Sequence, residues 1–300
     1  VKVIVTGGTG FLGSGLVAAL RGGGHEVTVV TRDPARARVP AGVRAVSWGD
    51  LPAAVEGADA VANLAGETIA QRWTSAAKAR IVESRNEAAA KVGAALAESK
   101  HRPAVLLNAS AVGFYGNRGE EELTEASGPG TGFLAETTVG WEEAARRAAP
   151  EGVRLVLLRT GIVLGEGGGA LSKMLFPFRL GVGGPLGSGR QWMPWIHRAD
   201  LLSLLVATLE DSRFEGPVNA AAPFPVTMKE FASTLGRVLH RPALFPAPAF
   251  AIRAAMGEMA SLVLDGQKVL PAKASAFGFR FRFERLDAAL GDLLGRPGGG

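Results

Sequence analysis

The run Val3-Ile4-Val5-Thr6-Gly7-Gly8-Thr9-Gly10-Phe11-Leu12-Gly13 limits what this chain can fold into more than any other segment. A β-branched run leads straight into spaced glycines, and an amphipathic stretch, Phe11–Arg21, begins at once. A turn from strand to helix of this kind is sharp, and a diphosphate approaching its backbone meets no side chain where glycine stands. The helix start adds free N–H groups and a partial positive charge. With a strand before it and a helix behind, the spacing predicts a dinucleotide-binding loop whose contacts are Gly7, Thr9, Gly10, Phe11, Leu12 and Gly13.

Short β-branched runs alternate with helical patterns as far as about Gly165. Strands are expected at Val3–Thr6, Glu26–Thr31, Val43–Ser47, Ala60–Asn63, Val105–Ala109 and Leu155–Arg159. Helices are expected at Phe11–Arg21, Thr74–Ser99 and Phe133–Ala149. That alternation means βαβ units and an α/β fold, a Rossmann-type doubly wound parallel sheet. Beyond Gly165, glycine and proline punctuate expected helices at Ala170–Phe178, Asp200–Leu209, Met228–Leu239, Pro248–Glu258 and Arg285–Leu294, with strands at Trp195–His197 and Pro217–Ala221. The expected division is a nucleotide-binding domain over 1–165, rejoined by 198–222, and a smaller, mostly helical substrate-side lobe over 166–197 and 223–300. Pro297–Gly300 is expected to be a frayed tail.

An NAD site places an acid at the end of the second strand, against the ribose 2′-hydroxyl. Here the strand ends Val29-Val30-Thr31-Arg32, with no acid before Asp33. Arg32 can pair with a 2′-phosphate and stack on an adenine, so Thr31 and Arg32 point to NADP(H) rather than NAD(H). The chain has no cysteine, which excludes disulfides, thiolate metal sites and a cysteine nucleophile; no metal is expected. The net charge is +5, but the basic residues are scattered, so nucleic acid is not an expected partner. No run approaches the roughly 18 apolar residues needed to cross a bilayer. No signal-peptide pattern is visible either, so a cytoplasmic protein without a membrane partner is expected.

Thr6–Gly13 resembles the Gly-x-x-Gly-x-x-Gly fingerprint of extended short-chain dehydrogenase/reductases, in their nucleoside-sugar epimerase/dehydratase branch. Further runs resemble one atypical subfamily, NAD(P)-dependent epimerase/dehydratase-like, with a characteristic C-terminal helical domain. They are Asn63–Glu67, Arg72-Trp73 with Lys78 and Ser84-Arg85, Ser110–Gly116 and Arg159–Gly165. The likeness continues through Gly183–Trp192, Trp195-Ile196-His197, Gly257-Glu258 and Gly266–Pro271, so it covers almost the whole chain. It implies further cofactor contacts at Leu64, Ala65 and Gly66 after the fourth strand, at Arg85 on the long helix, and at Val163 beside the nicotinamide. Plain sheet packing, or a surface salt bridge for Arg85, is the alternative at these positions.

The resemblance also exposes a departure. Active short-chain dehydrogenases use a Tyr-x-x-x-Lys pair on one helix, whose phenol trades a proton with the substrate oxygen as hydride moves. This chain has one tyrosine, Tyr115, with Gly119 four residues on, and the helix that ought to carry the pair offers Phe133 or Leu134 and Thr137 or Thr138. Ser110 at the end of the fifth strand, Tyr115 and Glu136 are therefore the candidate catalytic residues. The alternatives are a turn former, a buried aromatic and a solvated acid. Lys173, Arg190, Gln191, Trp192 and His197 are expected on the substrate side, the histidine with a structural role as its alternative. In the simplest alignment the arginine with which sugar-nucleotide members hold a diphosphate falls at Met193, although Arg190 lies close, which speaks against a nucleoside-diphosphate sugar. Two functions stay open. An NADP(H)-dependent oxidoreductase or epimerase-like enzyme for a small carbonyl, alcohol or sugar-like compound is favoured by the elaborate second half. A non-catalytic NADP(H) sensor is favoured by the missing pair. A homodimer is compatible with the fold, and the sequence points to no interface.

Overall fold

The computed structural model describes residues 1–295; the expectation for Pro297–Gly300 lies outside the described residues. Seven parallel strands form the central sheet: β1 (Lys2–Thr6), β2 (Glu26–Val30), β3 (Arg44–Val46), β4 (Ala60–Asn63), β5 (Val105–Ala111), β6 (Arg154–Thr160) and β7 (Gly216–Ala220). Their order across the sheet is β7-β6-β5-β4-β1-β2-β3, a Rossmann-type doubly wound arrangement that reverses between β1 and β4.

Both faces of such a sheet are covered, so its strands read as continuous apolar runs whose alternate residues serve different cores. Val3 and Val5 pack with Leu16, Val17 and Leu20 of α1 (Phe11–Gly22) and with Leu201, Leu204 and Leu205 of α5 (Arg198–Glu210). Ile4, between them, faces Val92 and Leu96 of α2 (Ser75–Glu98) and Ala144 and Ala148 of α3 (Phe133–Ala148). The long helix begins where Thr74 accepts a hydrogen bond from the Ala77 N–H, at 3.2 Å.

Two strand ends differ from the sequence expectation. β2 stops at Val30, and the Thr31 N–H donates to the Val46 carbonyl (2.9 Å), so Thr31 and Arg32 lie in the loop beyond. β5 runs on to Ala111, which leaves Ser110 inside the strand, in register with Arg159 of β6. Pairing with β6 outlasts the apolar run that marks the strand in sequence.

The second lobe has its own core. Leu171, Leu175 and Phe178 of α4 (Gly169–Arg179), Phe231 and Leu235 of α6 (Met228–Val238), and Leu286 and Leu290 of α8 (Leu286–Leu294) close around Trp195. A further helix, α7 (Ala249–Met256), is largely exposed. The segment Trp195–His197 pairs with Ile162–Leu164; from there α5 packs on α1 and β7 pairs with β6, so the chain returns to the central sheet. Among the described residues no helix is long and apolar enough to cross a membrane.

Candidate functional site

The loop joining β1 to α1 closes on itself, the Gly10 N–H donating to the Gly7 carbonyl at 3.0 Å. Gly7 has φ +66°, and a Cβ there would stand 2.8 Å from the carbonyl carbon and oxygen of Leu64. At Gly13 a Cβ would lie 2.1 Å from the Gly7 oxygen. The carboxyl ends of β1 and β4 therefore touch at the point where strand order reverses, which is where open α/β sheets take their ligands. Gly10 caps α1 with no side-chain hydrogen bond, and no acid occupies the first turn. That leaves the positive end of the helix to an outside anion, as a dinucleotide diphosphate requires.

A polar ladder fixes the floor beneath. Thr6 Oγ1 donates to Asn63 Oδ1 (2.6 Å), Asn63 Nδ2 to Asn108 Oδ1 (2.7 Å), and Asn108 Nδ2 to the Ala109 carbonyl (2.7 Å). All three side chains are buried, and each amide has a partner, so the ladder sets the heights of β1, β4 and β5 without leaving an orphaned group.

The remaining expected cofactor contacts gather around this loop. Leu64 and Ala65 are half-buried, and the Ala65 N–H donates to Thr6 Oγ1 at 3.3 Å. Arg32 is exposed and has no ion-pair partner among the described residues, whereas Arg36 pairs with Asp33 at 3.5 Å. Arg85 reaches from α2 under Gly66, its Nη1 donating to the Glu67 carbonyl (3.0 Å) and the Ile81 carbonyl (2.8 Å). Burial pulls its pKa down to about 10, against the attraction of Glu67, and its guanidinium lies 4.8 Å from the Trp141 ring. Val163 packs on the main core. Phe11 ties the loop to the second half of the chain: a Cβ at Gly168 would meet its ring at 2.8 Å, and one at Gly165 or Gly169 at 3.2 Å. Arg198 donates from Nη2 to the Phe11 carbonyl at 2.9 Å.

Ser110 and Tyr115 join a second buried network, one strand over. Ser110 Oγ donates to Glu142 Oε1 at 2.7 Å, and the same carboxylate accepts from Arg159 Nε (2.7 Å), Arg159 Nη2 (2.9 Å) and Arg146 Nη2 (3.2 Å). Arg159 Nη1 donates to the Tyr115 hydroxyl (3.0 Å), which donates in turn to Asn219 Oδ1 (2.7 Å). Tyr115 is 0% and Glu142 0% exposed. Burial pushes the phenol pKa up, with Arg159 opposing. Both hydroxyl protons are thus committed inside the protein. Glu142, Arg159 and Asn219 were not singled out as site residues, although Arg159, a cation ending the apolar run Leu155–Leu158, carries a signal.

Where the Tyr-x-x-x-Lys pair is missing, Leu134 and Thr138 face the end of β5. A Cβ on Gly113 would stand 3.3 Å from Leu134 Cβ and 3.6 Å from Thr138 Oγ1, and that hydroxyl donates to the Leu134 carbonyl at 2.7 Å. Glu136 is exposed in the first turn of α3. Phe133 meets the Trp73 ring edge-on at 4.9 Å, with the Lys78 ammonium 5.0 Å from its centroid. Lys78 is paired with Glu258, so two distant segments noted in the sequence meet here.

The residues expected on the substrate side are dispersed. The Gln191 amide donates to the Leu186 and Val263 carbonyls, both at 2.9 Å. Trp192 Nε1 donates to Glu120 Oε2 at 2.7 Å, under Lys268. His197 Nδ1 accepts from the Ala199 N–H (3.1 Å) as the cap of α5, and its ring lies 3.9 Å from that of Phe283. Lys173 and Arg190 are exposed.

The chain is similar to known proteins along its length. A model of the NAD dependent epimerase/dehydratase family matches residues 3–221, and one of a domain of unknown function (DUF1731) matches residues 247–293. The mouse epimerase family protein SDR39U1 is 40% identical over 299 residues, 98% of this chain and 99% of that protein. The epimerase family protein YfhF of Bacillus subtilis is 40% identical over 298 residues, 98% of each. A crystal structure of human SDR39U1 (isoform 2) with NADPH matches with a TM-score of 0.91 at 37% identity, covering 99% of this chain and 100% of that one.

Proposed function

This chain belongs to the NAD dependent epimerase/dehydratase family, and from that premise we propose that it binds NADP(H) between β1 and β4 and acts on a small carbonyl, alcohol or sugar-like compound as an oxidoreductase or epimerase-like enzyme. The observation that carries the reading is the contact of Gly7 with Leu64, which sets an uncapped helix N-terminus over the reversal of strand order. The NADPH in the human relative supports the choice of cofactor. When bound, NADP(H) supplies or accepts a hydride.

The chain's own residues then divide the work. The amides from Gly10 to Gly13 hold the diphosphate, and Arg32 holds the 2′-phosphate. The ladder of Thr6, Asn63 and Asn108 keeps the floor rigid, and Arg85 fastens the Gly66-Glu67 loop against α2. Phe11, overlain by Gly165, Gly168 and Gly169, keeps water from the mouth of the loop. Ser110 and Tyr115, with their protons committed inside, brace β5 instead of serving the substrate. Lys78 of α2, held over Phe133 at the start of α3 and paired with Glu258, is our candidate for the proton donor that the missing pair would have supplied.

A calorimetric titration with NADPH and NADH tests the binding half: tight binding of NADPH alone supports it, and no binding of either to cofactor-free protein removes it. A screen of carbonyls, alcohols and sugar nucleotides tests the catalytic half. If no compound oxidises NADPH or reduces NADP⁺, the second reading, a non-catalytic NADP(H) sensor, takes its place. One observation favours that reading: the two hydroxyls best placed in sequence for proton transfer are both locked in the interior.

A further inference from the structure

Apart from Val1, the exposed large apolar side chains of the described residues all lie between residues 176 and 250. Phe176, Leu180, Val182, Leu244, Phe245 and Phe250 are each more than half exposed. Backbone hydrogen bonds draw them together. The Val182 N–H donates to the Pro177 carbonyl (3.0 Å), holding the chain against the end of α4. The Phe245 N–H donates to the Gly183 carbonyl (3.2 Å), the Ala247 N–H to that of Pro185 (3.0 Å), and the Gly187 N–H to that of Ala247 (2.8 Å). Segment 183–187 therefore runs edge to edge with 245–247, and α7, which carries Phe250, follows directly. Exposed apolar side chains grouped on adjoining segments in this way point to a binding surface.

Charge selects the occupant. Neither 167–199 nor 231–257 contains an aspartate or glutamate. Lys173, Arg179 and Arg241 are exposed and form no ion pair among the described residues; Arg253 stands across from Asp265. Exposed phenylalanines and leucines on segments that carry cations and no acid suit the headgroup region of an anionic bilayer, where the rings enter the acyl boundary and the cations meet lipid phosphates. We propose that this face docks the protein reversibly on an anionic lipid surface. Such a contact is peripheral and spans nothing: among the described residues no helix is long and apolar enough to cross a membrane. The proposal goes beyond the dinucleotide reading and does not depend on it.

The test sediments the full chain with vesicles of phosphatidylcholine alone and of phosphatidylcholine mixed with phosphatidylglycerol, at low and high salt. Binding to the anionic vesicles only, weakened by salt, is expected. The variants Phe176→Ser/Phe245→Ser/Phe250→Ser and Lys173→Glu/Arg179→Glu/Arg241→Glu should each partition about tenfold less or weaker still, while melting like the parent. Should a triple variant melt early, Phe250→Ser, at a 75% exposed position, gives the same comparison with a smaller loss. No vesicle binding, equal binding to both vesicle types, or variants that bind unchanged would overturn the proposal. So would a dimer, seen by sedimentation velocity and abolished by the phenylalanine changes, in protein that ignores vesicles; the face would then belong to a second copy.

Discussion

Ser110 donates its only hydroxyl proton to Glu142, 2.7 Å away, with both side chains buried. The pair belongs to the support of the sheet, and its energetics follow from Arg159, which the same carboxylate neutralises. Glu142→Ala strands a buried guanidinium and should cost about 3–5 kcal/mol. Ser110→Ala removes one hydrogen bond to a carboxylate and should cost about 1.5–2 kcal/mol, and Tyr115→Phe, which loses bonds to both Arg159 and Asn219, about 2–3 kcal/mol. Urea unfolding of the three variants checks the ranking; a Glu142→Ala protein as stable as the Ser110→Ala one would refute it.

On the proposed reading, Arg32 decides between the two dinucleotides. Loss of one charge-assisted contact to a phosphate weakens binding by about ten- to a hundredfold. Arg32→Ala should therefore raise the Kd for NADPH by that factor in a calorimetric titration and leave the Kd for NADH where it was. An equal loss for both would show that Arg32 acts on the loop rather than on the 2′-phosphate.

The glycine loop offers a paired comparison. Gly7→Ala places a side chain at φ +66° against the Leu64 carbonyl, which should cost about 2 kcal/mol and remove NADPH binding. Gly22, at the end of α1, has nothing within 4 Å of a built Cβ. Gly22→Ala should gain about 0.5–1 kcal/mol with cofactor affinity intact. Thermal melts with and without NADPH separate the two cases, and a Gly7→Ala protein that still binds normally would count against the crevice.

Burial holds the His197 imidazole below its ordinary pKa; Asp200 and Asp292 oppose the shift and Arg282 adds to it. The unfolded chain takes up a proton near about pH 6.5 that the folded protein accepts only at lower pH. The stability linked to this group is complete above that pH and falls as the pH drops through the window beneath it. Urea midpoints between about pH 7.5 and 5.5 should show a slope that flattens in His197→Asn, whose side chain can still cap α5. A slope unchanged in the variant would assign the dependence to other groups.

The nucleotide crevice was legible because its signal is local. Gly7, Gly10 and Gly13 fall within seven residues, and the acid missing after Val30 is a matter of adjacent residues. The same holds for the alternation of strands and helices. The interior network was not legible, because each member is one polar residue in an apolar setting whose partner is remote in sequence. Tyr115 finds Asn219 across 104 residues and Lys78 finds Glu258 across 180. Sequence places Ser110 at the end of its strand; only the pairing of β5 with β6 reveals Arg159 beside it and the strand running on to Ala111. Gln191 and His197 are expected on the substrate side from the resemblance; their observed bonds, Gln191 to the Leu186 and Val263 carbonyls and His197 as the cap of α5, have no local signature in the sequence.

The last strand of the sheet, Gly216–Ala220, arrives after the second lobe has begun, and its arrival has a consequence for synthesis. A nascent chain that has emerged only as far as residue 165 holds Arg154–Thr160 as a bare edge, open to pairing with a neighbouring chain. Its Arg154 also lacks the carbonyls of Thr208, Leu209 and Phe214, to which it donates in the finished protein. The two halves must therefore mature together on and after the ribosome. A gene cut at residue 165 would yield two aggregating fragments instead of two domains.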